Sequence, residues 1–286
     1  MATKKKSGWA TLPAKAPKFD FSGDALKKAW KDLHAGDAEP YPDAKRAAAL
    51  LKAAGKAAPK DLDAEGVATQ LQDGWRAFHE GRFEAAHEAG RALGVLGASL
   101  ATKAMGIHAA YLVDDDAERL QRFEFVTAIA EQAVDALPAE SNSHYRRAFG
   151  LGRYSQGISI VKALKHGLAG KVRESLDKTL AIEPDHAEAR LALAVYHAEI
   201  VSKVGGLIGG MTYGAKASEA EKHLAAALKL MPKSPVAHLE QGNVALLLNG
   251  AKGEDAAAAA YEKAAGLKPR DAMEWLDARH AASQIE

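Results

Sequence analysis

Between Gly23 and Ala35 the apolar side chains Ala25, Leu26, Ala29, Trp30 and Leu33 recur at helical spacing, the stripe of a 3.6-residue period. Ser22 or Asp24 is placed to cap the start, and Gly36 ends the stretch. Pro40, Tyr41 and Pro42 then break the chain, and the pattern predicts a second, Ala-rich helix from about Pro42 to Lys56 with proline in its first turn. Pro59 to Glu65 reads as a linker. From Val67 onward the text begins to repeat itself.

The anchors of the repetition are four prolines, each preceded by similar text: AVDALPAE, DKTLAIEPDH, AAALKLMPKS and EKAAGLKPRD. They are Pro138, Pro184, Pro232 and Pro269, spaced 46, 48 and 37 residues apart. In the last full unit Gly242 follows Pro235, Ala257 precedes Tyr261 by one helical turn, Ala264 follows, and Pro269 closes the unit. The unit before it has Ala194 in its first helix, and Ala220, Leu224, Ala227 and Pro232 in and after its second. Nearer the start, LQDGWRAFHEGRFEAA supplies Gly74, Gly81, Phe83 and Ala86. Two antiparallel helices approach closely only where small residues sit at the crossing, and a proline stops one unit before the next begins.

On these residues the chain resembles the tetratricopeptide-repeat (TPR) family, whose bare unit is about 34 residues, so the excess must sit inside units as insertions. The resemblance covers roughly residues 67–285. It implies an all-α fold of antiparallel helix hairpins stacked as a solenoid, with extended, insertion-bearing units and a capping helix from Asp271 to Ser283 around Trp275. Hairpins of this kind bury their apolar stripes only against their neighbours. The expected organisation is a basic tail without fixed structure over 1–20, N-terminal helices over 21–60, and the repeat domain over 67–285.

Composition agrees with helices. Hydrophobic residues make up 48% and aromatics only 6%, so the apolar share is mostly Ala, Leu and Val, which favours helix over sheet. The 38 Lys and Arg nearly balance the 37 Asp and Glu, which argues against a nucleic-acid footprint. Zero Cys excludes disulfides, thiolate metal sites and a Cys nucleophile. Lys4, Lys5, Lys6, Lys15 and Lys18 make the start basic, with no apolar stretch after it of the kind a signal peptide needs. A cytoplasmic protein without stable membrane insertion is expected.

Two inserts stand out: RYSQGISIVKALKHGLAG, residues 153–170, and AEIVSKVGGLIGGMTYGAKAS, residues 198–218. Both are apolar and punctuated by glycine. A solvent-exposed loop has no use for Ile200, Val201, Val204, Leu207, Ile208 and Met211, so these side chains are expected to fill core or groove. The layout resembles bacterial relatives of the regulator-of-microtubule-dynamics proteins and, more faintly, the TatT component of bacterial transporter systems. The first resemblance implies a non-enzymatic binding protein; the second implies a cavity for a small apolar ligand.

Signatures of chemistry fail on spacing. In HGLAGKVRES, Gly167 and Gly170 stand too close for a phosphate loop, and Val172 replaces the hydroxyl residue after Lys171. FGLGRYSQG has Ser155 where a dinucleotide loop needs its third glycine. Neither His79-Glu80 nor His87-Glu88 is followed by the second His of a zinc-protease helix. His197 with Glu199 is the closest approach to a metal pair, and two ligands do not make a site. No catalytic residue, cofactor or metal is therefore assigned.

A binding surface remains. In TPR arrays the first helices line the concave side, and that register implies a groove of Leu71, Trp75, Phe78 and His79, then Tyr145, Arg146, Phe149 and Arg153. It continues with Leu191, Val195, His197 and Glu199, and then Leu239, Asn243 and Leu246. Asn243 resembles the asparagine that grips a terminal carboxylate in chaperone-binding relatives, although the companion lysines of that clamp are absent. Aromatic and Arg anchors suit a protein or peptide partner. The other expectation is a small apolar ligand held under the two inserts.

Overall fold

The structure, a computed structural model, describes residues 8–286, apart from the side chains of Ile160, Val161 and Leu164. The tail expected over 1–20 thus falls outside the described residues up to position 7. Among the described residues there are helices and turns but no strand. The chain divides into two compact units, one of residues up to Lys28 with Pro40–Gly157 and one of Ala29–Glu39 with Ile158–Glu286. The division falls at Gly157, inside the stretch expected to be one repeat domain.

The first helix, α1 (Ala25–Leu33), supplies residues to both units. The first unit then holds α2 (Ala44–Ala54), α3 (Ala64–His79), α4 (Phe83–Ala92), α5 (Ala98–Leu112), α6 (Asp116–Ala136) and α7 (Ser141–Gln156). Helices α3 with α4, and α5 with α6, form hairpins, and α7 packs on both α6 and α5. Pro42 lies just ahead of α2 rather than in its first turn, because Asp43 takes the cap and accepts from the Arg46 N–H at 2.8 Å. The crossing of α4 and α5 is made by glycines: Gly90 on α4 meets the backbone at Gly97, so closely that a Cβ on either would collide with main chain. Gly74 faces Ala89 and Leu100, and Ala86 is fully buried.

The second unit holds α8 (Ile160–Lys165), α9 (Leu168–Ile182), α10 (Ala187–Val204), α11 (Gly206–Tyr213), α12 (Ala217–Leu230), α13 (Pro235–Asn249), α14 (Glu254–Gly266) and α15 (Ala272–Ala282). Its hairpins are α10 with α12 and α13 with α14; α10 also packs on α13, and α13 on α15. This is a stack of first helices against first helices, with each second helix behind its own partner. Ala194, Ala198, Ala220 and Val244 form one core cluster, and Leu239, Ala257, Tyr261, Ala264 and Ala281 another. Ala227 joins a third with Leu191 and Met231. The segment 29–39 belongs here too: the Glu188 N–H donates to Gly36 O at 2.8 Å, and Arg270 donates to Asp32 O at 2.6 Å.

Pro138, Pro184, Pro232 and Pro269 each lie just past the end of a helix, α6, α9, α12 and α14. Three of them share a device not evident beforehand. The carbonyl of Pro138 accepts from His144 Nε2 at 2.9 Å, that of Pro184 from Arg190 at 2.7 Å, and that of Pro232 from His238 Nε2 at 2.9 Å. In each case the donor stands six positions on, in the next helix, so a carbonyl left beyond a helix end is satisfied.

Candidate binding surfaces

The Asn243 site is built by α13 and α14. Gly242 is buried against the Tyr261 ring, where any Cβ would overlap the ring carbons, so the tyrosine can lie across the helix beside it. Its Oη donates to Asn243 Oδ1 at 2.8 Å, and Asn243 Nδ2 donates to Glu240 Oε2 at 2.8 Å. A carboxylate only accepts, which fixes the orientation of the amide. Burial pushes the Tyr261 hydroxyl above its usual range. Both ends of the Asn243 side chain are thus engaged within the unit.

His197 on α10 is buried between α9 and α12. Its ring stacks on His223 at 6.0 Å, with Arg173 Nη1 3.4 Å from Nε2 and the Lys216 N–H 3.4 Å from Nδ1. Both neighbours are donors, and a neutral imidazole has one acceptor nitrogen. Burial first, then the Arg173 charge and His223, lower its pKa to about 4, so the ring is neutral at ordinary pH. Glu199 does not join it: two positions on along a helix it points elsewhere and pairs with Lys203 at 3.4 Å. Among the described residues no group of three or more metal-binding side chains forms.

In the first unit, Trp75 and Phe78 are buried, edge to face at 5.6 Å, and Phe78 meets Phe83 in the same way at 5.5 Å. Tyr145 and Arg146 are buried as well, the guanidinium 5.1 Å from the tyrosine ring. Leu71, His79, Leu191 and Leu239 are buried too. Phe149 and Arg153 are half-buried and stack at 5.7 Å. Of the nine principal groove candidates, five are therefore packed inside their units, and Phe149, Arg153, Glu199 and Asn243 stay within reach of solvent.

The second insert departs most from expectation. It forms α11, and its large side chains are in water: Leu207 is 78% exposed, Ile208 57% and Met211 82%. They fill no core. The reason is the placement of glycine. Gly209 is the buried residue of α11, and a Cβ there would meet Ile200 at 3.3 Å and Ala215 at 3.8 Å. The helix lies on α10 through its small side, which turns the branched residues outward. Periodicity cannot reveal this in a segment apolar all round.

The tail holds the other surface absent from the sequence reading. Trp9 is half-buried against α4, α5 and α6. A tryptophan among lysines and glycine was the only signal.

No protein-family profile matches the chain, and no curated protein resembles it significantly. Among solved structures, it superposes on a thermophilic TPR protein of Thermus thermophilus with a TM-score of 0.51 at 15% identity, covering 76% of this chain and 99% of that one. At that identity the likeness speaks for architecture. No helix among the described residues is long and apolar enough to cross a membrane. With its hairpins stacked first helix on first helix, small residues at the crossings and prolines at the unit ends, the chain has the tetratricopeptide-repeat fold.

Proposed function

We propose that the chain is a non-enzymatic scaffold that holds a protein or peptide partner, with α11 as its principal contact. The observation that carries this reading is the exposure of Leu207, Ile208 and Met211. Three large apolar side chains on eight residues keep their hydration cost until something covers them, at roughly 25 cal/mol per Å². A carrier with the insert folded inward as a roof needs those side chains turned into the protein, and they are not. Phe149 and Arg153 supply, in the first unit, the aromatic and guanidinium pair that interfaces reuse.

The test is a photo-crosslinking residue in place of Leu207 or Met211 in the full chain, expressed in its own cell. Both positions should yield the same covalent adduct with one other protein, and Lys229, exposed on α12, should not. Leu207→Ser with Ile208→Ser and Met211→Ser should weaken the interaction at least tenfold. No adduct, or equal adducts from all three positions, overturns the reading.

A further inference from the structure

Residues 8–10 have neither helix nor strand, yet they are held as a ligand is held. Trp9 lies in a cage of three side chains from three helices. The His108 ring is 4.6 Å away, the His87 ring 5.3 Å, and the Arg122 guanidinium stands over the indole at 4.7 Å. The flanking backbone is read as well: Arg122 Nη2 donates to Gly8 O, and His108 Nε2 donates to Ala10 O at 3.1 Å. These carbonyls lie one on each side of Trp9, with its side chain between them in the cage. The segment is held through its main chain and one anchoring side chain together, as a peptide is in recognition through main-chain hydrogen bonds and a side-chain pocket.

The cage is organised by its own hydrogen bonds. Glu118 Oε1 accepts from Arg122 Nε at 3.0 Å and Nη2 at 2.7 Å, and Arg122 Nη1 donates to His108 Nδ1 at 2.8 Å. An arginine only donates, so Nδ1 must accept and Nε2 must carry the hydrogen given to Ala10. His87 donates from Nδ1 to Ala101 O at 2.9 Å, which fixes its ring. Phe125, 42% exposed, lies 6.2 Å from His87, with the Arg91 guanidinium 5.2 Å from its ring, and extends the aromatic platform toward solvent. A Cβ on Gly8 would stand 2.7 Å from the Glu118 carboxylate and 2.9 Å from Arg122 Nη2, so a larger residue there requires the tips of those two side chains to shift.

We propose that the cage of His87, His108 and Arg122 is a peptide-recognition site, that the chain's own Gly8-Trp9-Ala10 is its resident ligand, and that a partner bearing a Gly-Trp segment enters by displacing it. The cage belongs to the first unit and uses no residue of α11. A short tether gives an effective concentration of about 1 mM. A segment of about 10 μM intrinsic affinity then occupies its site roughly a hundred to one in cis, and an outside peptide binds about a hundredfold more weakly than to an empty site.

The experiment uses full-length protein with Trp9→Ala and a labelled peptide of residues 1–14, followed by fluorescence anisotropy. Trp9→Ala should bind saturably in the micromolar range, and the wild-type chain at least thirtyfold more weakly. A peptide of equal charge with alanine for its tryptophan should not bind, and adding Arg122→Gln to Trp9→Ala should weaken binding at least tenfold. No saturable binding to a folded Trp9→Ala protein, equal binding to wild type, or equal binding of the alanine peptide overturns the proposal. Should Trp9→Ala fail to fold, a full chain with a protease site at 14–17 is folded and then cut. Release of the fragment and its recapture at micromolar peptide support the proposal; unfolding on release, or retention against excess peptide, overturns it.

Discussion

The two hairpins of the second unit solve the same packing problem with different hardware. Helices α13 and α14 are joined by the short turn Gly250–Gly253 and lock through Gly242 against Tyr261. Helices α10 and α12 cross through Ala194, Ala198 and Ala220, and between them the chain adds α11. The extra residues leave the crossing untouched because they attach beyond it, at the far end of α10. A repeat therefore tolerates an insertion where its helices have already parted, and what is inserted there is free to serve a surface rather than a core.

The largest effect is expected at the tighter hairpin. Gly242→Val drives two methyls into the Tyr261 ring and should destabilise the second unit by about 3 kcal/mol, as overpacking of a closed crossing does; a thermal melt followed by far-UV circular dichroism reads it. Ala220→Leu and Ala257→Leu should each cost on the order of 1–3 kcal/mol in the same assay, and an unchanged melt for either would show that the crossings lie elsewhere.

Acid should separate the hairpins further. His197 faces Arg173 and Asp177 on α9 and His223 and Glu219 on α12, and its pKa is lowered to about 4. A histidine kept neutral in the fold but free to protonate when unfolded contributes stability that is present above about pH 6.5 and lost as pH falls from there toward 4. His197→Gln should flatten that loss by about 1 kcal/mol, after allowance for solvent screening, when urea unfolding is compared at about pH 7 and pH 5. The smallest effect on stability belongs to α11. Leu207→Ser with Ile208→Ser and Met211→Ser should change the unfolding free energy by no more than about 0.5 kcal/mol, while retention on a hydrophobic-interaction column falls. A large loss of stability would mean that these side chains are core after all.

Legibility followed the physics of each element. Ala220, Ala257, Gly242 and the four prolines were readable because a helix crossing admits few residue types and a proline marks where a helix must stop. The groove was less readable: Trp75, Phe78, Tyr145, Arg146 and His197 have the chemistry of contact residues, and aromatic rings serve equally well as packing between helices. Glu199 and His197 share a sequence neighbourhood but not a side of α10. Nothing in the tail's own sequence marks Trp9 as a contact residue, because its partners His87, His108 and Arg122 are far away along the chain and only folding assembles them.

The order of apolar and small residues, by itself, determined that this protein is helical, that its helices pair, and where each pair ends, since those are properties of one helix and its nearest neighbour. Tertiary structure alone decided which apolar side chains see water. Whether Leu207 is core or surface depends on which side of α11 is slim enough to lie against α10, and Gly209 settles that through close contact with Ile200 and Ala215. Whether Trp9 is tail or ligand depends on a guanidinium and two imidazoles that meet only when α4, α5 and α6 have packed.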